Sequence, residues 1–302
     1  MAEGEVAGSQ VRSEASLRPR SVALDESLST CEDDQRASGQ SSGRRALPYS
    51  LTPVHVCIRS VRKTYKTRRQ DIDAIHSVTM EVARGEFVSI LGPSGCGKST
   101  LLMAVGGLLP VTAGSIEIDG DLVTGPRRDT GIVFQSPVLM PWRSILKNVL
   151  FPIECLGLQP RDYQYRAHEL LNLTGLERFQ ENYPSELSGG MQQRVAICRA
   201  LIHNPSLLLM DEPFSALDAM TRDTMNQELL RIWEEFQKTV LFVTHSIREA
   251  VFLSDRVFVM SQRPAVISKV IDVQLPRPRR LEIGETPEFN AYVSELRRAI
   301  EG

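Results

Sequence analysis

The stretch GPSGCGKST, residues 92–100, constrains the fold of this chain more than any other. It follows the short apolar run FVSIL (87–91) and precedes the helical pattern LLMAVGG. Glycines allow backbone N–H groups to point inward at phosphate oxygens, and the following helix presents its positive end to the same anion. The stretch therefore predicts a phosphate-binding loop between a strand and a helix, with Lys98 on the phosphates and the Ser99 hydroxyl on Mg²⁺.

Short apolar runs alternate with helical patterns along the rest of the chain. Runs rich in aliphatic residues suit strands that are buried on both faces of a mostly parallel sheet. The segments VHVCIRSV and HSVTMEV predict an antiparallel β edge, and helical patterns replace strands over about 136–204. We therefore expect an α/β fold with an inserted α-helical subdomain. The buried strands are expected at 87–91, 131–134, 206–210, 239–243 and 256–260.

The two ends of the chain differ in composition from its middle. Residues 1–50 are rich in Ser, Gly, Glu and Arg, which predicts a disordered tail. Residues 54–275 form the predicted catalytic domain, and 276–302 a C-terminal tail with a possible helix over 287–301. The basic segment LPRPRR (275–280) is interpreted as a solvated linker, with attraction to anionic lipid headgroups as the alternative.

Charge and hydropathy exclude several classes of protein. The chain has 35 basic and 37 acidic residues and a net charge of -2, which argues against a protein that coats nucleic acid. Its most apolar segment, 101–113, is interrupted by Pro110 and is shorter than the roughly 20 residues that span a bilayer. The five scattered cysteines form no C-x-x-C pair and indicate a reducing compartment. Any membrane span must come from other chains.

Two adjacent carboxylates follow the apolar run SLLLM, at Asp211 and Glu212. Neighbouring residues on a strand point to opposite faces, so the two side chains are expected to have different roles. One carboxylate can hold Mg²⁺, and the other can orient or deprotonate an attacking water. The alternative is a solvated pair that begins a turn before Pro213.

His245 directly follows the run TVLFVT (239–244). The carboxyl ends of parallel strands form the edge where α/β folds bind ligands, which favours a functional role. A structural histidine is the alternative. A second glycine-rich turn occurs in LSGGMQQR, where Ser188 and the N–H groups after it can form an anion site at a helix start.

In this order, GPSGCGKST, LSGGMQQR, LLLMDEPF, SALD and His245 resemble the ATP-binding subunit of an ABC transporter. The resemblance covers about Val54 to Leu275. It implies ATP hydrolysis with Mg²⁺, with Lys98, Gln135, Glu212 and His245 as catalytic residues and Glu212 as the base. The implied metal ligands are Ser99, Gln135 and Asp211. The implied ATP-binding residues are Tyr65, Gly92, Pro93, Ser94, Gly95, Cys96, Gly97, Lys98, Ser99, Thr100, Ser188, Gly189, Gly190 and Asp218.

Within this resemblance, Tyr65 would stack on adenine, with an ordinary strand aromatic as the alternative. Asp218 would communicate across a dimer in which Ser188 to Gly190 of one subunit close over the γ-phosphate held by Lys98 of the other. Met191 stands where Gln is the usual family residue. Because Met and Gln form helices about equally well and backbone N–H groups bind the phosphate, we expect the site to remain active.

Three further segments narrow the resemblance: LMPWRSILKNV, ALDAMTRDTMNQELLRIW and DVQLPRPR. They are similar to the nitrate, sulfonate and taurine branch of bacterial importers. The expected partners are a second ATPase subunit, membrane permease subunits and, indirectly, a solute-binding protein, with the chain peripheral on the cytoplasmic face of the inner membrane. Trp142 is expected near the permease, with core packing as the alternative. Ser246 and Arg248 depart from the usual family residues.

Other functions are less compatible with the sequence. An ABC ATPase that organises DNA inserts a long coiled coil, for which the chain between Lys98 and Ser188 is too short. An ABC ATPase that acts on the ribosome carries two cassettes, whereas this sequence has one phosphate loop. A phosphate-loop kinase would not need LSGG. The ATPase subunit of an exporter remains an alternative.

Overall fold

A computed structural model describes residues 53–68 and 70–301, so the predicted tail at 1–50 lies outside the described residues. The strands are β1 Val54–Lys66, β2 Asp71–Ala83, β3 Phe87–Leu91, β4 Ala113–Ile118, β5 Asp121–Leu122, β6 Thr130–Val133, β7 Leu207–Asp211, β8 Thr239–Thr244, β9 Arg256–Met260 and β10 Ala265–Asp272. The α-helices are α1 Lys98–Val105, α2 Ile145–Cys155, α3 Gln164–Leu173, α4 Gly189–Leu201, α5 Ala219–Phe236, α6 Ile247–Leu253 and α7 Pro287–Glu301.

Within the described residues, ten strands form one mixed sheet in the order β5-β4-β1-β2-β10-β9-β3-β8-β7-β6. The five strands from β9 to β6 run parallel to one another, and β1 pairs antiparallel with β2 and β4. The predicted α/β fold, with its parallel core and antiparallel edge, is confirmed. The carboxyl ends of β3, β7 and β8 meet at one edge of this sheet.

Each central strand contributes side chains to a hydrophobic cluster on either face of the sheet. In β3, Phe87 and Leu91 pack with the helices of the insertion, and Val88 and Ile90 pack with α1 and the antiparallel strands. All five residues of β3 are buried, as are those of β7. This double-sided burial explains why these strands are continuous apolar runs, and it fixes the edge from which their following loops project.

Helices α2, α3 and α4 lie within the range where the strand pattern lapses. The buried side chain of Asn148 on α2 organises the loop before it. Its Oδ1 accepts from the N–H of Met140 at 2.8 Å, and its Nδ2 donates to the carbonyls of Met140 and Arg143 at 3.1 and 3.0 Å. These bonds hold the loop that presents Trp142, whose side chain is 74% exposed. Core packing of Trp142 is therefore excluded.

The sequence patterns missed β4, β5 and β10. Two of them, β4 and β10, carry few consecutive buried residues, because they lie in the antiparallel half of the sheet or border it. Polar residues interrupt their apolar pattern, so the alternation typical of a half-buried strand is weak. The sheet is consequently more antiparallel than the sequence indicated.

The C-terminal helix was predicted over 287–301 and is found at Pro287–Glu301. The interpretation of LPRPRR as a solvated linker is wrong, because Arg279 is only 5% exposed and its guanidinium donates to backbone carbonyls. In the described part of the chain, no helix combines the length and apolarity needed to span a membrane.

Candidate functional site

The loop 92–97 connects β3 to α1, as the sequence predicts. A Cβ atom at Gly92 would lie 2.7 Å from the carbonyl oxygen of Met260, so no other residue fits there without movement. Gly97 has φ of 118° and caps α1, a conformation that side chains rarely adopt. The loop therefore keeps its backbone free of side chains at its two ends, which leaves N–H groups accessible to an anion at the start of α1.

Lys98 is the first residue of α1 and is 4% exposed. Its Nζ donates to the carbonyls of Gly92 and Pro93 at 2.9 and 3.0 Å and lies 3.7 Å from Oε1 of Glu212. Two of its partners are neutral carbonyls, and phosphate oxygens are stronger acceptors that can replace them. Lys98 thus belongs to a pocket that suits phosphate oxygens.

Ser99 and Asp211 bring a hydroxyl and a carboxylate together beside the loop. The Ser99 Oγ donates to Oδ1 of Asp211 at 2.8 Å, although the two residues lie far apart in sequence. Burial raises the pKa of the Asp211 carboxyl, against the opposing effect of the Ser99 hydrogen bond. A cation at this position would favour the ionised carboxylate, and the oxygen donors are of the kind that Mg²⁺ prefers.

Glu212 and His245 are in direct contact where β7 and β8 end. The Nδ1 of His245 lies 2.9 Å from Oε2 of Glu212. Glu212 has φ of 43°, a left-handed conformation that is uncommon for residues other than glycine and is often found at functional sites. The chain therefore leaves the direction of β7 at Glu212. The two neighbouring carboxylates have different partners, Ser99 for Asp211 and His245 for Glu212.

Gln135 follows β6 and reaches the same region through one hydrogen bond. Its Nε2 donates to Oγ of Ser215 at 3.1 Å, and that Oγ donates to the carbonyl of Glu212 at 3.0 Å. Gln135 is exposed and begins the connection to the helical insertion. The contact joins the turn after Glu212 to that connection. Ser215 was not singled out in the sequence, where a serine in SALD gives no specific signal.

Tyr65 lies on β1 and is 37% exposed. Its hydroxyl lies 3.3 Å from Oγ1 of Thr100, and the Nζ of Lys63 is 5.2 Å from its ring centroid. These contacts place Tyr65 beside the first turn of α1 with part of its surface accessible. A partly exposed ring in this position can accept a stacking ligand.

The second glycine-rich turn lies against different elements from the phosphate loop. Ser188 caps α4, and its Oγ accepts from the N–H of Met191 at 3.3 Å. A Cβ atom at Gly190 would lie 2.9 Å from Cγ2 of Thr221 on α5. Gly97, by contrast, faces the carbonyl of Ala74 on β2. The side chain of Met191 packs against the hydrophobic cluster of the helical face.

Asp218 ends the loop that follows Glu212. Its side chain accepts from the N–H of Thr221 at 3.0 Å and caps α5, and this bonding lowers the pKa of the Asp218 carboxyl. A Cβ atom at Gly189 would lie 3.9 Å from Cδ2 of Leu217, just before Asp218, and one at Gly190 2.9 Å from Cγ2 of Thr221, in the first turn of α5. Asp218 therefore lies next to the second glycine-rich turn, on an exposed part of the chain.

The described contacts fall into two groups. The first joins the phosphate loop to the ends of β7 and β8 through Lys98, Ser99, Asp211, Glu212 and His245. The second places the two glycines that follow the α4 cap Ser188 next to Leu217 and Thr221, where α5 begins. The other predicted residues of the loop, Pro93, Ser94, Gly95, Cys96 and Thr100, lie in or directly after 92–97.

The sequence matches the model of the family described as ABC transporter over residues 75–215. An ABC transporter ATP-binding protein of Methanocaldococcus jannaschii is 46% identical over 226 residues, covering 75% of this chain and 85% of the relative. The nitrate import ATP-binding protein of Synechocystis sp. is 41% identical over 255 residues, which cover 82% of this chain and 96% of the relative. The taurine import ATP-binding protein of Rhizobium johnstonii is 46% identical over 231 residues, with coverages of 76% and 88%.

A solved structure gives a similar result. The dimeric post-hydrolysis state of an ATP-binding cassette, bound to ADP and Pi, matches with a TM-score of 0.65 at 37% identity. The match covers 73% of this chain and 99% of that one.

Proposed function

Because this chain belongs to the ABC transporter family, we propose that it is the ATP-hydrolysing subunit of an importer for a small solute, of the nitrate, sulfonate and taurine type. Its reaction is ATP hydrolysis. The observation that carries the proposal is the contact of Ser99 with Asp211 and of His245 with Glu212 beside the phosphate loop. This edge holds a phosphate cradle, a metal-binding oxygen pair and a base together.

ATP fits the phosphate loop because the loop offers backbone N–H groups and a buried lysine without a side chain at Gly92 or Gly97. Lys98 would exchange its present carbonyl partners for phosphate oxygens, which are stronger acceptors. Tyr65 would stack on the base. The other proposed ATP-binding residues of this region are Pro93, Ser94, Gly95, Cys96, Ser99 and Thr100.

Mg²⁺ fits the residues at the end of β7. Ser99 and Asp211 present a hydroxyl and a carboxylate that already lie at hydrogen-bond distance. Gln135, after the neighbouring strand β6, would supply an amide oxygen, since its Nε2 is the atom that donates to Ser215. When bound, Mg²⁺ supplies positive charge that offsets the charge on the phosphate oxygens. Asp211, Ser99 and Gln135 would hold the ion.

Hydrolysis needs a group that accepts a proton from the attacking water. Two observations support Glu212 as this group. Its backbone is left-handed, and its carboxylate lies beside Lys98 and His245. His245 holds the Glu212 carboxylate through Nδ1 and presents the rest of its ring to solvent, since its side chain is 51% exposed. We assign Glu212 as the general base and His245 as a contact of the γ-phosphate.

The second glycine-rich turn completes the site in a dimer. The two glycines that follow Ser188 lie next to Leu217 and Thr221, where α5 begins, whereas the phosphate loop lies against β2 and β9. Two subunits arranged head to tail would bring the α4 start of one, with its free N–H groups, onto the nucleotide of the other, next to Asp218. The dimeric cassette structures that resemble this chain support such an arrangement.

The exposed Trp142 lies in a loop that Asn148 holds in place, which suits a preformed contact with a permease. The partners we propose are therefore a second ATPase subunit, membrane permease subunits and, indirectly, a solute-binding protein. The region around Met140, Pro141 and Trp142 would lie near the groove that receives a cytoplasmic helix of the permease. The chain would be peripheral on the cytoplasmic face of the inner membrane.

The proposal is tested with Lys98→Ala and Glu212→Gln in the purified protein. Lys98→Ala removes the buried cation and is expected to abolish ATP turnover. Glu212→Gln keeps the nucleotide pocket and is expected to give dimers in size-exclusion chromatography when ATP is present and monomers when it is absent. The proposal would be contradicted if Lys98→Ala still hydrolysed ATP, or if Glu212→Gln stayed monomeric when ATP is present. The solute is identified by thermal-shift screening of the cognate binding protein with nitrate, taurine, alkanesulfonates and pyrimidines.

A further inference from the structure

The helix α6 begins directly after His245 and is bonded to the residues on both sides of it. Ser246 caps α6 by accepting from the N–H of Glu249 at 3.3 Å. The N–H of Ser246 donates to Oγ1 of Thr244 at 2.9 Å, and that Oγ1 donates to Oε2 of Glu249 at 2.6 Å. Because both neighbours of His245 are tied to the first turn of α6, a shift of α6 moves the backbone of His245.

Glu249 extends this network to the loop that follows Glu212. It is 7% exposed, and burial raises the pKa of its carboxyl. Its Oε1 lies 3.5 Å from Nε of Arg222, whose Nη2 donates to the carbonyl of Leu217 at 2.8 Å. The position of α6 is therefore linked to His245 and to the loop that carries Asp218.

The opposite, C-terminal end of α6 is bonded by side chains of the segment LPRPRR, residues 275–280. The last carbonyls of a helix have no partner within the helix. In α6, the carbonyls of Val251 and Phe252 accept from Nη1 of Arg279 at 3.1 and 3.0 Å, and that of Leu253 accepts from Nη2 of Arg277 at 2.8 Å. Positive charge at this end also suits the helix dipole.

The face of α6 is covered by the C-terminal segment. The guanidinium of Arg248 lies 5.0 Å from the ring centroid of Phe289 on α7, and its Nη2 donates to the carbonyl of Gly284 at 3.0 Å. Phe289 is 2% exposed and Leu296 is fully buried. The departure from the usual family residue at Arg248 thus has a structural role, because it fastens α7 to the helix that follows His245.

We infer that the C-terminal segment, residues 277–301, positions His245 through α6, with Arg248, Arg277 and Arg279 as positioning residues. This inference rests on the proposed function, since it concerns the histidine assigned to the γ-phosphate. These hydrogen bonds reach α6 and not the phosphate loop or Glu212, so the segment would act on His245 indirectly. It acts by fixing the C-terminal end and one face of a two-turn helix, which has little stability of its own.

The test compares Arg248→Ala with the control Arg297→Ala, which removes the same charge from an exposed site on α7. Arg248 is itself exposed, so the variant keeps the buried core. We expect kcat for ATP to fall about fivefold in Arg248→Ala, with KM within about twofold of the parent, because small displacements of a reacting group lower the rate more than binding. Arg248→Lys, which keeps the charge near Phe289, should recover part of the loss.

A second measurement does not depend on ATP. In the nucleotide-free protein labelled with ¹³C-histidine, the His245 ring signal, assigned by its loss in His245→Ala, should shift in Arg248→Ala and stay in place in Arg297→Ala. In a double-mutant cycle, adding Arg248→Ala to His245→Ala should leave the rate of His245→Ala unchanged.

Three results would overturn the inference: a parental kcat in Arg248→Ala, an unshifted His245 signal in that variant, or additive losses in the cycle. Each leaves the proposed function intact, because that function fails only through Lys98→Ala or Glu212→Gln.

Discussion

The hydroxyl of Ser99 donates a 2.8 Å hydrogen bond to Oδ1 of Asp211, and this bond joins the phosphate loop to the end of β7. The two residues belong to motifs separated by the whole helical insertion. Their contact brings together two oxygen atoms of the kind that Mg²⁺ prefers as ligands.

The first prediction concerns this hydroxyl. Ser99→Ala removes an oxygen ligand and the donor to Asp211, so ATP hydrolysis with Mg²⁺ is expected to fall about 100-fold. Ser99→Thr keeps a hydroxyl and is the matched control, expected to retain most of the activity. Steady-state turnover across a series of Mg²⁺ concentrations measures both. Equal rates in Ser99→Ala and the parent would remove Ser99 from the metal site.

The second prediction concerns the two glycines that begin α4. Gly190→Ala places a Cβ atom 2.9 Å from Cγ2 of Thr221 and is expected to lower the free energy of unfolding by about 1 kcal/mol through overpacking. At Gly189 the nearest atom is Cδ2 of Leu217 at 3.9 Å, so Gly189→Ala should be neutral or stabilising by up to about 1 kcal/mol. Urea denaturation of the two variants measures the difference. Equal effects would show that α4 and α5 are not closely packed there.

The third prediction concerns Met191. Its backbone N–H donates to Oγ of Ser188, and its side chain packs on the hydrophobic cluster, so neither interaction requires a polar side chain at position 191. Met191→Gln should therefore leave the ATPase rate within about twofold of the parent, because Gln and Met have similar helix propensities. A tenfold rise, equivalent to about 1.4 kcal/mol in the barrier, would show that the side chain at this position affects hydrolysis.

The fourth prediction concerns Arg279. Arg279→Met leaves the carbonyls of Val251, Phe252 and Ser254 without their buried donor, and we expect the free energy of unfolding to fall by about 3 kcal/mol. The control is Arg280→Met, since Arg280 is the exposed neighbour and its loss should change stability by less than about 0.5 kcal/mol. Guanidinium denaturation provides the comparison. Similar stabilities for the two variants would contradict the role of Arg279 at the end of α6.

The fifth prediction concerns the exposed indole of Trp142. Trp142→Ala should leave the ATPase activity and stability of the isolated subunit unchanged, because the side chain is 74% exposed. It should weaken co-purification with the permease subunits by at least tenfold, since buried aromatic anchors dominate such interfaces. Tyr165→Ala, at a side chain that is 82% exposed, is the control and should bind as the parent does. Undiminished permease binding by Trp142→Ala would place the interface elsewhere.

Much of the site could be predicted from the sequence, because the residues of each motif are positioned by residues close to them in the chain. Lys98 and Ser99 begin a helix after a glycine loop, and Ser188 caps α4 through the N–H of Met191, three residues away. The sequence did not predict that Ser215 is the hydrogen-bond partner of Gln135. That bond depends on two strand ends that become neighbours only in the sheet. Glu249 carried no signal in the sequence, since its importance comes from the packing of α5 against α6.

The sequence by itself determined the phosphate loop, the buried strands of the parallel core and the helix over 287–301, because short-range spacing and continuous apolar runs specify them. Only the tertiary structure decided the environment of the basic residues near the C-terminus. Arg279 is charged and lies between prolines and another arginine, a composition that favours solvent. It is buried because the carbonyls at the end of α6 need donors, and the fold brings that helix end to it from far along the chain.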